Sequence, residues 1–156
     1  MLRPISTTKA NILAFIMRQR SARWYRHYFN YLEQQKKNTR LLFKDTLQDI
    51  QSTFGRVEPS FASKLVATIR PETPVYDSVV LRNLGIKGSR SYAPAAVRFD
   101  DALRAYEEIQ EFHEHALSSK VFPKLKSQFD RSFSQFAEFT DAKKLDFLLW
   151  QWRDRA

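Results

Sequence analysis

EQQKKNT, residues 33–39, holds no large apolar side chain, yet it lies between two stretches of helical pattern. From residue 9 to residue 54 there is neither Gly nor Pro. Large apolar residues recur at Ile12, Ile16, Trp24, Tyr28 and Leu32, then at Phe43, Leu47, Ile50 and Phe54, mostly three or four positions apart. That spacing predicts helix on both sides of the polar stretch. Thr7 or Thr8 can serve as the N-cap, and Gly55 is a natural residue just past the end. The stretch itself is either a solvent-bridging part of one helix or the place where two helices part. One helix over residues 8–54 would be about 70 Å long, whereas a compact chain of this length is about 40 Å across. An unbroken helix would project and would need a partner to cover its aromatic side chains.

The pattern changes after Gly55. Glu58-Pro59 and Thr73-Pro74 each place Pro at a first helical position, which predicts short helices near 59–70 and 74–84. Gly85 stops the second. GIKGSRSYAPA, residues 85–95, is then the clearest loop, with Lys87 and Arg90 inside it and Arg98 just beyond. Asp100-Asp101 is expected to open the next helix, whose apolar stripe runs through Leu103, Tyr106, Ile109, Phe112 or His113, and Ala116. A further helix over about 119–139 carries a ladder of Phe122, Leu125, Phe129, Phe133, Phe136 and Phe139. Thr140 offers the N-cap of a last helix, with Leu145, Leu148, Leu149 and Trp152 on one face. No strand-period pattern and no internal repeat occurs, so the predicted class is all-α. The expected architecture is an elongated helical protein with a long N-terminal helix or helix pair and a C-terminal helical bundle or hairpin. Its segments are a basic helical part over 1–54, short helices and a basic loop over 55–99, and a helical hairpin over 100–156, acting as one structural unit.

Composition narrows the chemistry. The chain of 156 residues has no Cys, which removes disulfides, thiolate metal sites, iron–sulfur clusters and Cys nucleophiles together. It has 13 Phe but only 3 Gly and 6 Pro, a balance that suits bulky helical packing. No stretch nears the roughly 20 apolar residues of a membrane span. The longest, NILAFIM, runs straight into Arg18 and Arg20, which also fits a secretory signal poorly. The net charge of +9 is uneven: residues 1–54 hold ten basic and three acidic side chains, 55–99 seven and three, 100–156 nine and eleven. A basic front and a mildly acidic rear point to a face for an anionic partner, whether RNA, lipid head groups or an acidic protein.

EEIQEFHEH, residues 107–115, is the one cluster resembling a metal or acid/base site. In a helix Glu111 and His115 stand one turn apart, with Glu107 and Glu114 on the same side. The pattern matches neither HExxH nor the paired Glu-x-x-His of di-iron bundles, so no metal is expected, and a solvated acidic face with two surface histidines, His113 and His115, is the plainer reading. His27 sits among arginines and is a poor ligand. Gly85-Ile-Lys-Gly88 resembles a phosphate-cradling GxxG loop but lacks the preceding strand, and its plainer reading is a helix stop and flexible connector. The Phe ladder reads mainly as core. In LDFLLWQW, Phe147 and Trp150 point away from the Leu face, so Phe147, Trp150 and Trp152 are candidate interface anchors.

The strongest functional signal is the set Arg18, Arg20, Arg23 and Arg26 interleaved with Trp24, Tyr25 and Tyr28. Guanidinium groups pair with phosphates and stack on aromatic planes, so the set, extended by Lys87 and Arg90, suits RNA or anionic lipid. Residues 1–32 are acid-free, rich in Arg, Ser and Thr, and amphipathic, which also describes a mitochondrial targeting helix. These features favour a non-catalytic accessory subunit of a mitochondrial ATP synthase or respiratory-chain complex, at the inner membrane periphery or in the matrix. No cofactor and no catalytic residue are expected. The partners would be neighbouring protein subunits and anionic lipid head groups. The alternative is a mitochondrial ribosomal RNA-binding protein, against which the eleven carboxylates of residues 100–156 weigh. A metal-dependent enzyme using Glu111, His113 and His115 is the minor alternative. Because the helical stripe runs through the basic stretch without a break, residues 1–20 are expected to stay on the protein. An intact-mass measurement lacking roughly the first 20 residues would overturn that expectation.

Overall fold

The computed structural model describes residues 20–152. The expected caps Thr7 and Thr8, the stripe residues Ile12 and Ile16, and Arg18 lie outside them. The described residues form seven α-helices and one short 3-10 turn, with no strand, so the chain is all-α. Helix α1, Ala22–Gln35, begins at Ser21, whose side chain accepts the Trp24 N–H. It ends inside the polar stretch, and α2, Phe43–Phe54, begins beyond it. Residues 8–54 are therefore not one helix. Asn38 supplies the reason: its carbonyl accepts the Leu41 N–H at 3.2 Å and its side chain accepts the Arg40 N–H at 3.1 Å, a local turn that competes with helical bonding. Leu41 then turns inward and is buried.

The chain divides into two compact units, Met1–Lys37 and Asn38–Ala156, and the division falls within the polar stretch. In the described part of the first, Trp24 stacks on Tyr28 at 5.0 Å between ring centroids and meets Tyr25 edge-on at 5.3 Å.

The second unit holds the remaining helices. Helix α2 ends at Gly55, whose left-handed φ of 66° lets its N–H return to the Gln51 carbonyl. Helix α3, Pro59–Ile69, starts on Pro59 as the sequence predicts. The two helices pack together, and Leu47, Ile50, Leu65 and Val66 are all nearly inaccessible to solvent. Phe43 stacks on Tyr106 at 4.0 Å and on Tyr76 at 6.4 Å, which joins α2 to the long helix α5.

Residues 71–77 differ from expectation. Pro74 does not open a helix; α4, Ser78–Leu84, starts later, at an Asp77 cap that accepts the Val79 N–H at 2.8 Å. The intervening segment is a non-helical, partly buried strap, with Thr73, Pro74 and Tyr76 buried and Glu72 exposed. Its backbone groups bond to side chains from three helices and a cap. The Tyr76 N–H donates to Ser63 Oγ at 2.9 Å, the Pro74 carbonyl accepts from Tyr106 at 3.1 Å, and the Val75 N–H reaches Asp146 at 3.4 Å. The Thr140 hydroxyl donates to the Pro71 carbonyl. These bonds replace the helical ladder expected to start at Pro74.

Helix α5, Ala95–Ser118, begins directly after Pro94, so Asp100 and Asp101 lie within it and not in its first turn. Its buried stripe is Ala102, Tyr106, Ile109 and His113. The Phe ladder is not one helix either. Helix α6, Phe122–Ser132, stops before Phe133, a 3-10 turn covers Ser134–Phe136, and α7, Asp141–Gln151, starts at the Thr140 cap as expected. Folding the ladder back lets Phe129 and Phe133 both meet Phe147 edge-on or tilted, at 5.5 and 5.4 Å. A second apolar cluster joins Val80 of α4, Phe122 of α6, and Leu145 and Leu149 of α7.

Lys144 is buried at 2% side-chain exposure in the midst of this packing. Its ammonium group donates to the Ala137 carbonyl at 2.8 Å and pairs with Asp130 at 2.6 Å, clamping α7 to the chain leaving α6. Removing Asp130 strands a buried cation, so Asp130→Ala is expected to cost about 1–3 kcal/mol. Lys144→Met keeps the apolar stem and leaves only a partly exposed carboxylate, so it should cost less. Urea unfolding of the two variants checks this order, and the reverse order would contradict the clamp.

Candidate functional site

Three helices that cover the second cluster do not close over it. Between α5, α6 and α7 runs an open groove of about 520 Å³, walled by Phe112, Ala116, Val121, Leu125, Leu148 and Trp152. Helical spacing produces these walls. Phe112 and Ala116 stand one turn apart on α5, beside the stripe that is buried, and Val121 and Leu125 stand one turn apart at the start of α6. Val121 is 60% exposed, Trp152 53%, Leu125 38% and Phe112 37%, an unusual concentration of large apolar surface. The Asn83 side chain donates to the Leu149 carbonyl at 2.7 Å and to the Trp152 carbonyl at 2.9 Å. It caps α7 and so fixes where Trp152 leaves the helix. Lys124 and Glu111, the sequence neighbours of Leu125 and Phe112, are exposed.

The three candidate anchors separate. Trp152 lines the groove and Trp150 is 43% exposed, whereas half-buried Phe147 packs against Phe129 and Phe133 of the protein itself. Phe147 was expected at an interface because it leaves the Leu face; the folded Phe ladder comes round to cover part of it.

The basic and aromatic residues of α1 separate too. Trp24 and Tyr25 are buried and Tyr28 is half-buried, while Arg23 and Arg26 are exposed and Arg20 is half-buried. At 100° per residue, positions 24, 25 and 28 share one side of the helix and 23 and 26 share another. The interleaved set is thus two faces, not one stacking surface, and Trp24 and Tyr25 are not presented to a partner. Burial raises the Tyr25 and Tyr28 phenols above their ordinary value, which keeps both neutral.

In the 85–95 loop, Lys87 is exposed, but Arg90 is committed. Its Nε donates to Asp101 at 2.8 Å, and this hydrogen bond holds the Asp101 carboxyl below the usual range. The Ser89 N–H donates to the Tyr76 hydroxyl at 3.0 Å, Ser89 Oγ to the Arg98 carbonyl at 3.1 Å, and Arg104 to the Lys87 carbonyl at 3.1 Å. A side chain at Gly88 would meet Leu81 and the Tyr76 hydroxyl at 3.1 Å, so glycine is what lets the loop lie this close. The segment is a fastened strip and not a flexible connector.

His113 and His115 part company. His115 is exposed, and its Nδ1 lies 2.9 Å from the Glu111 carbonyl, not the Glu111 carboxylate. Among the described residues no group of three or more His, Asp or Glu side chains is assembled for a metal ion. His113, expected on the surface, is buried, with Nε2 at 3.1 Å from Asp146 of α7. The signal was present in the sequence: the spacing Ala102, Tyr106, Ile109, His113 is a helical stripe. Its partner Asp146 carried no such signal, because the pairing joins helices far apart in the chain.

No family model, curated protein or solved structure matches the chain.

The buried pair carries a pH signature. Loss of solvation raises the Asp146 carboxyl above its ordinary value, opposed by His113 and the Val75 N–H. A carboxyl that binds its proton more tightly in the fold contributes stability in full below the unfolded value of about 3.9 and loses it as pH rises through the folded value. Thermal unfolding of the wild type and Asp146→Asn should therefore show the wild type losing ground to the variant as pH climbs above about 4. A difference that grows in the wild type's favour over that window would refute the assignment.

Proposed function

We propose that the protein is a non-catalytic accessory subunit of a large mitochondrial assembly, an ATP synthase or respiratory-chain complex, peripheral to the inner membrane or in the matrix. The observation that carries this reading is the apolar groove between α5, α6 and α7, ending at Trp152. Its occupant would be an amphipathic helix of a neighbouring subunit, with apolar residues one turn apart meeting Phe112, Leu125 and Trp152. Exposed Lys124 beside Leu125 and exposed Glu111 beside Phe112 in sequence would suit a partner helix that carries charges of both signs around its apolar face. The acid-free, Arg-rich residues 1–32 support the mitochondrial address, and exposed Arg23 and Arg26 on α1 suit contact with anionic head groups. No helix among the described residues is long and apolar enough to cross a membrane.

The RNA reading keeps those same arginines but loses the stacking platform, since Trp24 and Tyr25 are buried. The metalloenzyme reading would have to draw on His113, which is engaged with Asp146.

Native electrophoresis of mitochondrial extracts, with and without nuclease, separates these outcomes. Co-migration with one large assembly in both lanes is expected, and a free monomer would sink the proposal. Leu125→Asp and Trp152→Ala should each release the subunit while leaving its helical content intact, because central anchors of an interface cost about 2 kcal/mol or more when removed.

A further inference from the structure

Away from the apolar groove, a second cavity of about 440 Å³ lies where α4 and the fastened loop meet the start of α3. It is lined by Pro59, Leu81 and Ile86 together with Arg82 and Arg98. The state of those two arginines sets them apart. Arg70, Arg90 and Arg104 each have a carboxylate, from Glu72, Asp101 and Glu108 respectively. Arg82 and Arg98 have no ion pair among the described residues. Arg98 makes one long bond, from Nη2 to the Val57 carbonyl at 3.4 Å, and its Nε is buried with no acceptor among the described residues.

Two acids close in sequence are engaged elsewhere, and exposed Asp100, two residues from Arg98, forms no ion pair with it among the described residues. Asp77 caps α4, and Asp101 holds Arg90. A buried guanidinium N–H without an acceptor is costly, and two cations lining one recess repel each other unless an anion lies between them. The recess is also rigid. Ser89 is tied at its N–H to Tyr76 and at its hydroxyl to Arg98, and Gly88 lets the loop seat against Leu81. Rigid donors need little reorganisation to receive a ligand.

We propose that this cavity binds a phosphate monoester with a compact apolar portion. Arg82 and Arg98 would hold the phosphate, and the hydroxyls of Ser78 and Ser91, which line the same recess, would supply neutral donors. Two guanidinium groups and two hydroxyls offer more donors than a carboxylate can use, whereas a phosphate has three terminal oxygens to satisfy. The Pro59, Leu81 and Ile86 wall receives the remainder of the molecule, so an ester should bind more tightly than bare phosphate. The ester can be a free metabolite or the head of a phosphatidic acid; the recognising chemistry is the same.

The full-length protein, isotope-labelled, is titrated with inorganic phosphate, with phenyl phosphate, and with phosphatidylcholine vesicles with and without phosphatidic acid. Amide resonances of Gly88 and Ser91 and the Arg98 Nε–Hε resonance are followed. Saturable shifts confined to this set are expected, with phenyl phosphate binding about tenfold more tightly than inorganic phosphate. A response to phenyl phosphate points to a free ester, and a response to phosphatidic acid vesicles alone points to a lipid head; each supports the site only if Arg82→Gln weakens it by about tenfold or more. Arg82 is exposed, so that variant should keep its thermal midpoint and its behaviour on native gels, whereas Arg98→Gln also loses the Val57 bond and serves as the second variant. Non-saturating shifts, shifts centred on Arg23 and Arg26, or an affinity unchanged in Arg82→Gln would overturn the proposal.

Discussion

The polar backbone of residues 71–77 has to be satisfied inside the protein, and the arrangement of the second unit follows from how this is done. A strap that is neither helix nor strand cannot pair its own N–H and carbonyl groups, and buried ones cost about as much as a lost hydrogen bond. Ser63 of α3, Tyr106 of α5, Asp146 of α7 and the Thr140 cap each supply one partner. Because these partners come from three separate helices, with Thr140 capping α7 and Asp146 lying within it, the strap fixes α3, α5 and α7 around itself. Thr140 shows the economy of the solution, since its oxygen also accepts the Lys143 N–H and so starts α7.

Charge inside the unit follows the same logic. Lys144 and His113 are buried, and each has an acidic partner on another element, Asp130 and Asp146. Such pairs add little net stability compared with apolar packing, but a wrong register would leave the buried Lys144 ammonium or the His113 ring without a partner, so they discriminate against misplacement. The placement of α7 bears directly on function. With α7 held by Lys144, Asp146 and Asn83, its end at Trp152 faces α5 and α6 across an open apolar groove, and its other side is closed by the Phe ladder. Arg98, by contrast, has no acidic partner among the described residues, and it lines the second cavity.

Some of this was legible in the sequence. The start of α3 at Pro59, the end of α2 at Gly55 and the start of α7 at Thr140 are set by residues whose backbone or side-chain preference acts locally. Pro74 carries the same local signal as Pro59, yet α4 starts at Ser78, because side chains from distant helices outbid the helical ladder. Asp100 and Asp101 favour a first turn, but Pro94 opens α5 earlier, and Asp101 bonds Arg90 instead. The Phe ladder kept an uninterrupted helical period through residue 139, and only contact with Phe147 shows why α6 stops at Ser132. For the candidate site, Trp152 was recognisable as a large aromatic near a Leu face. Phe147, similar by every local measure, is partly covered by Phe129 and Phe133 from an earlier helix and its end.

By itself the sequence determined the all-α class, the break opportunity at residues 33–39, the uneven charge and the lack of any Cys-based chemistry. These depend on composition, period and short-range hydrogen bonding, which act within a few residues. The tertiary structure alone decided that His113 and Lys144 lie inside, that Trp24 and Tyr25 are turned away from the arginines of α1, and which apolar side chains remain uncovered beside α6. Each of those outcomes is a matter of which surfaces meet, and that depends on satisfying the strap and the buried charges together.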